Sequence, residues 1–157
     1  VLGPHVPSPL GRLLRQPVVP FSILADPPFA VVEDVDAARA FVAAAKLRLD
    51  QPINVVAPGA ITGLQAIMRG KRVPLPLVGP EWYLARQLSH LGGAPIPEHV
   101  MEVLHRGRLA DGTRAHDVLG LVPATSTPEV IDRLFRWESV VRITKPQMRA
   151  ATIHGVA

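Results

Sequence analysis

The chain has 157 residues with 17 prolines, 12 glycines and no cysteine, which excludes a disulfide framework, a thiol nucleophile and a cysteine zinc site. Hydrophobic residues make up 48% and charged residues 19%; this excludes a disordered or acidic solvating segment and reads as one globular domain of a reduced, cytoplasmic compartment. The net charge of +4 is carried mostly by Arg142, Lys145 and Arg149, in a stretch (139–157) with no acid and no aromatic residue to stack a base, so nucleic acid is not expected as a partner.

Residues 1–28 hold Pro4, Pro7, Pro9, Pro17, Pro20, Pro27 and Pro28. Each lacks an N–H and fixes φ, so loop with short extended pieces is predicted. Phe29-Ala30-Val31-Val32 reads as a brief strand. Ala37, Ala38, Phe41, Val42 and Ala45 recur at helical spacing after Asp34 and Asp36, either of which can cap the start. Ile53-Asn54-Val55-Val56 reads as a β-rich run ended by Pro58-Gly59, and Thr62 with Gln65 has capping-box spacing before a short helix closed by Gly70. Residues 73–78 contain Pro74 and Pro76, so they are extended but not a central strand. Helices are then predicted after Pro80 through Trp82, Ala85, Leu88 and Leu91, over 97–106 before Gly107, from Asp111 to Leu119-Gly120, and from Thr127-Pro128 toward Trp137. No apolar run reaches the ~18 residues that span a bilayer, so no membrane is expected.

The motifs of common chemistries are missing. There is no G-x-G-x-x-G, no G-x-x-x-x-G-K-[ST] and no G-x-S-x-G. His99 and His105 are six apart, not the three or four of a zinc helix, and fit a solvated face. Arg106, Arg108 and Arg114 flank Asp111, where they can grip an anion or form local ion pairs in a solvated turn. Tyr83 is the only tyrosine, with Gln87 four residues on, so a Tyr-x-x-x-Lys pair is excluded. Residues 53–56 are too apolar to lie exposed, and a lone strand has no ladder. Together with a beginning at Val1-Leu2-Gly3-Pro4 and no signal-peptide layout, this reads as a piece whose upstream part is missing.

Four separated stretches coincide with one family. Val1-Leu2-Gly3-Pro4, the segment from Phe29 to Ala40 with Asp36 at the family's aspartate, Ile53-Asn54-Val55-Val56 followed by Ile61-Thr62, and Asp111 with Arg114-Ala115, Leu119-Gly120 and Pro123 resemble the C-terminal half of an extended short-chain dehydrogenase of the NAD-dependent epimerase/dehydratase type. The resemblance implies an α/β fold, the C-terminal part of a Rossmann-like protein with mostly short helices and two or three short strands. Residues 1–138 would be a substrate-binding lobe with one or two edge strands of the Rossmann sheet, and 139–157 a basic, poorly ordered tail.

It further implies a parent enzyme that transfers hydride at a hydroxyl/carbonyl carbon. NAD or NADP, the catalytic Tyr and the Lys would be held by the missing N-terminal half, and a homodimer is compatible with the family. The substrate would be a small molecule, with Pro4, His5, Phe29 and Arg106 near it. Two departures stand out: Glu33 where members commonly have His, and Phe29 where nucleotide-sugar epimerases place an Arg. Loss of that cation favours a less charged substrate. The same departures motivate a rival, a non-catalytic dehydrogenase-like module that binds a protein. A free-standing helical module is a third reading.

Overall fold

The computed structural model describes residues 1–78 and 97–137. In chain order the elements are α1 (Pro9–Leu14), β1 (Val18–Ser22), α2 (Asp34–Lys46), α3 (Gly63–Arg69), β2 (Val73–Leu77), α4 (Glu98–Arg106), α5 (Thr113–Leu119) and α6 (Thr127–Leu134). This is an α/β arrangement of short helices with one two-stranded parallel sheet. The helix expected after Pro80 and the tail 139–157 lie outside the described residues.

The proline-rich start corrects the expectation of loop. Ser8 Oγ accepts a hydrogen bond from Gly11 N at 3.2 Å and Pro9 fills the first helical turn of α1, where its missing N–H would have had no helical partner. β1 then pairs with β2 in register Val18↔Val73 to Ser22↔Leu77. Val73 N donates to Pro17 O at 3.0 Å and Ile23 N to Leu77 O at 3.1 Å. Backbone polar groups alternate along a strand, so residues 73, 75 and 77 face β1 while Pro20, Pro74 and Pro76 all sit at positions facing away from the shared ladder. That placement is what makes proline compatible with these strands.

Phe29–Val32 is extended, as expected, but organised by isolated bridges. Phe29 exchanges both backbone hydrogen bonds with Ile61 (2.9 and 3.0 Å), Ala30 N donates to Arg108 O at 3.0 Å, and Leu2 bridges Glu33 in parallel. Between these, the Thr127 hydroxyl accepts from Val31 N (3.3 Å) and donates to Val31 O (3.2 Å), standing in for a neighbouring strand. Around this segment the core gathers Leu2, Leu14, Val19, Phe29, Ile61, Ile67, Val130 and Ile131. Residues 53–56 correct a second expectation: they form no strand, and no backbone ladder holds them among the described residues. Val55 and Val56 are half-buried rather than exposed, and a Cβ added at Gly112 would stand in ordinary van der Waals contact with Val56.

The later helices start and stop where local chemistry directs. Thr62 and Gln65 form the expected capping box of α3, and Asp26 reaches the same end with both carboxylate oxygens 3.2 Å from Leu64 N. Ser126 and Glu129 form another at α6. There the Ser126 backbone N–H, and then its hydroxyl, hold the Glu129 carboxyl below the ordinary carboxylate range. Its folded pKa lies below its unfolded one, so its stabilisation is complete above about pH 4.3 and lost as pH falls through the folded value. Glu129→Gln is expected to flatten that part of the acid limb in pH-dependent urea titrations and leave the profile above pH ~6 unchanged in shape.

The far end of α6 is closed by a residue 119 positions away. Arg15 Nε and Nη2 donate to Leu134 O at 2.9 and 2.7 Å, and Nη2 also to Trp137 O at 2.7 Å. Helix-end carbonyls lack intrahelical donors, and this guanidinium supplies them. Arg15→Ala should lower unfolding free energy by about 1–3 kcal/mol. Arg15→Lys, which concentrates its donors on one nitrogen, should recover only part in the same denaturation assay.

α2 buries an unexpected side. The inward residues are Asp36 and Ala40, whereas Phe41 and Val42 are 79% and 55% exposed, with Val35, Ala38 and Ala45 exposed along the same stripe. Its start is fixed by buried acids. Asp36 accepts from Ala124 N (3.1 Å) and Arg39 (3.1 Å), while Glu33 accepts from Thr125 Oγ1 (2.9 Å) and from Arg133 Nη1 (2.8 and 3.0 Å).

Candidate functional site

The residues expected near a substrate fall at two ends of the extended segment that begins at Phe29. At one end, Gly107 follows α4 with φ 71° and lies directly under Pro28 O. Arg108 N then donates to Pro28 O at 3.2 Å. This turn brings Arg108, two residues after Arg106, into a bridge with Phe29. The Phe29 ring is wholly buried in the core, so it supports the site from beneath rather than facing a ligand. Arg106 is largely exposed and pairs with Glu102 at 3.3 Å.

At the other end, the chain folds back through Pro4 and His5, with Val6 N donating to Gly3 O at 3.4 Å. Gly3 is pressed against the Asp34 carboxylate so closely that any side chain there would overlap it. Asp34 Oδ2 lies 3.4 Å from His5 N, and Oδ1 accepts from Val35 N at 2.8 Å. An extended chain rises about 3.3 Å per residue, so Phe29 and Asp34 stand roughly 16 Å apart. Pro4 and His5 thus share one surface turn, Arg106 occupies another, and the described residues do not join them in a single pocket.

Of the arginines around Asp111, one forms a local ion pair and another reaches a distant neutral side chain. Arg106 uses Glu102, and Arg114 Nη2 donates to Gln51 Oε1. Asp111 accepts from the Thr113 hydroxyl and N–H, which hold its carboxyl below the ordinary range. His99 and His105 lie on the exposed side of α4, and among the described residues no group of His, Asp and Glu is placed to hold a metal. No described helix is long and apolar enough to cross a membrane.

Sequence reasoning missed two features. The seat of the Asp34 carboxylate on Gly3 is not visible in the sequence, because it joins residues 31 apart. The convergence of cationic side chains where α1, α3 and α6 end was missed for the same reason, although basic residues in the last turns (Arg12, Arg69 and Arg133) were a local sign of it.

Fold and site define a mixed α/β protein of short helices whose core is organised around one extended segment. No protein-family model matches the chain, and no solved structure matches it. It is similar to curated mycobacterial proteins: an uncharacterized protein of Mycobacterium bovis and uncharacterized proteins of two Mycobacterium tuberculosis strains, each 30% identical over 149 residues. The alignment takes in 93% of this chain and 39% of each relative, so the chain spans about two-fifths of the length of the curated relatives it matches.

Proposed function

We propose that the chain is the substrate lobe of a larger NAD(P)-dependent oxidoreductase or epimerase of the extended short-chain dehydrogenase type, working on a small molecule in the cytoplasm. The observation that carries this reading is α2. A helix on a protein surface turns charged residues outward. This one turns Val35, Phe41 and Val42 outward and buries Asp36, which suits a helix lying between two layers. The parallel bridge of Leu2 with Glu33 is compatible with the edge of a larger parallel sheet. The greater length of the mycobacterial relatives agrees with both.

In this reading, NAD or NADP supplies the hydride chemistry, and the remainder of the protein holds it together with the Tyr and Lys. Pro4 and His5 on one turn and Arg106 on another would each contribute wall to a pocket that the remainder of the protein completes. The two departures from the family's pattern acquire physical content. Glu33, in the place of the usual His, is committed to Arg133 and Thr125, which makes it a strut. Phe29, in the place of an Arg, is core, so no cation stands there for a diphosphate and a less charged substrate is favoured.

Determining the coding sequence upstream, expressing the complete protein and titrating it with NADH and NADPH by fluorescence tests this reading. A glycine fingerprint, a Tyr-x-x-x-Lys pair and saturable dinucleotide binding by the complete protein are expected, with none by the 157-residue chain. Retention of NAD by these residues alone would overturn the lobe assignment. Absence of both motifs upstream would instead leave the non-catalytic binding module.

A further inference from the structure

We propose that the end of the fold where α1, α3 and α6 finish is a binding site for a phosphate-bearing anion. The inference does not depend on the dehydrogenase reading. Three contacts draw the segments together: Arg15 reaches Leu134 O and Trp137 O, Val73 N bonds Pro17 O, and Gly70 is pressed against the Phe135 ring. Seven cations belong to these segments. Arg69 is paired with Asp132 at 2.7 Å and Arg133 with Glu33 at 2.8 Å. Arg12, Arg15, Lys71, Arg72 and Arg136 have no carboxylate partner among the described residues.

Helix C-termini attract cations, and this explains Arg12 and Arg15. It leaves Arg72 unexplained. The Arg72 guanidinium stacks 5.7 Å from the centre of the Phe135 ring, which fixes its plane. Its Nε is buried and has no acceptor among the described residues. A buried donor without a partner is costly, and more so on a charged group. Nε is closed off, whereas the two Nη groups are not buried, and an oxyanion is the acceptor that a guanidinium with a fixed plane grips best. The surrounding excess of positive charge favours a multiply charged ligand over a single carboxylate, because one phosphate group relieves the repulsion among several cations at once. The site lies at the opposite ends of α3 and α6 from the turn that holds Gly107, since α3 starts at Leu104 and Asp26 and α6 starts beside Val31.

Isothermal titration of the 157-residue chain with inorganic pyrophosphate at low salt tests the site. Saturable binding is expected, weakened at least about tenfold by Lys71→Gln and by Arg72→Gln, and weakened by added salt. Arg72→Lys, which keeps the charge and loses the planar pair of Nη donors, should weaken it nearly as much. Lys46→Gln, on α2, should leave it unchanged. Circular dichroism melts establish that each variant is folded, and the exposed Lys71 keeps the test open should Arg72 variants unfold. Cosedimentation with phosphatidylglycerol vesicles distinguishes the sources. Retention with the same Lys71 dependence assigns a lipid headgroup, and no retention beside pyrophosphate binding assigns a soluble phosphorylated ligand. Both support the site. No saturable pyrophosphate binding, equal losses in Lys46→Gln and Lys71→Gln, or binding of a single-stranded oligonucleotide without pyrophosphate binding would each overturn it.

Discussion

Phe29→Ala is expected to cost about 3–5 kcal/mol, the range for emptying an aromatic core site. A domain of this size is stable by only about 5–15 kcal/mol, so the variant should unfold at a far lower urea concentration. The ring is completely buried in the core cluster to which α1, β1, α3, α4 and α6 contribute, and its backbone bonds both Ile61 and, one residue on, Arg108. Phe29→Leu, which refills part of the volume, should lose less. The same truncation at Phe41 is the control. Its ring is 79% exposed on α2, and Phe41→Ala should change stability by no more than about 0.5 kcal/mol in the 157-residue chain. A large loss at Phe41 would show that α2 is already covered in solution.

Gly107→Ala is the second large effect, expected at about 2–4 kcal/mol from two sources. Gly107 has φ 71° and ψ 171°, a region essentially restricted to glycine. A Cβ there would also stand 2.5 Å from Pro28 O and 2.9 Å from Pro27 Cβ, and the carbonyl is backbone that cannot swing aside. Relief would require the turn to open, which would break the Arg108 N to Pro28 O bond and loosen the bridge between Arg108 and Phe29. Gly120→Ala is a useful contrast. Gly120 also has positive φ, 60°, but nothing lies within 4 Å of a Cβ there, so only the conformational cost of roughly 1 kcal/mol is expected. Parallel denaturant titrations of the two variants separate backbone strain from steric overlap.

What could be read in the sequence was what is local. Helices α2, α3, α4, α5 and α6 announce themselves through caps and three- or four-residue spacing, signals complete within one or two turns. Thr62 with Gln65, and Gly107 after Arg106, are positions where the residue type leaves the chain little choice. The failures have the opposite character. Pro9, Pro20, Pro74 and Pro76 argue against regular structure until a partner shows that each stands where no donor is needed. Ile53-Asn54-Val55-Val56 has strand composition, yet a strand requires a neighbour, and among the described residues none reaches it.

The candidate sites follow the same division. That Arg106 precedes a forced turn was legible. That Asp34 seats on Gly3, or that Arg72 meets Phe135 beside Arg15, depends on segments brought together from distant parts of the chain. The stripe of α2 shows a further limit: its spacing marks a helix correctly but does not say which side meets the core. Here buried Asp36 and Glu33, held by Ala124, Thr125 and Arg133, outweigh the apolar stripe in deciding the orientation.

The three prolines of the parallel pair carry one more implication. Along the outer flank of β2, the positions whose amides would point outward are Pro74 and Pro76, so between Val73 and Leu77 that flank offers acceptors and no donors. An incoming β segment, from a misfolded copy or another protein, finds half of its hydrogen bonds unavailable. The ribbon therefore terminates itself on that side: it cannot seed a growing fibril through β2.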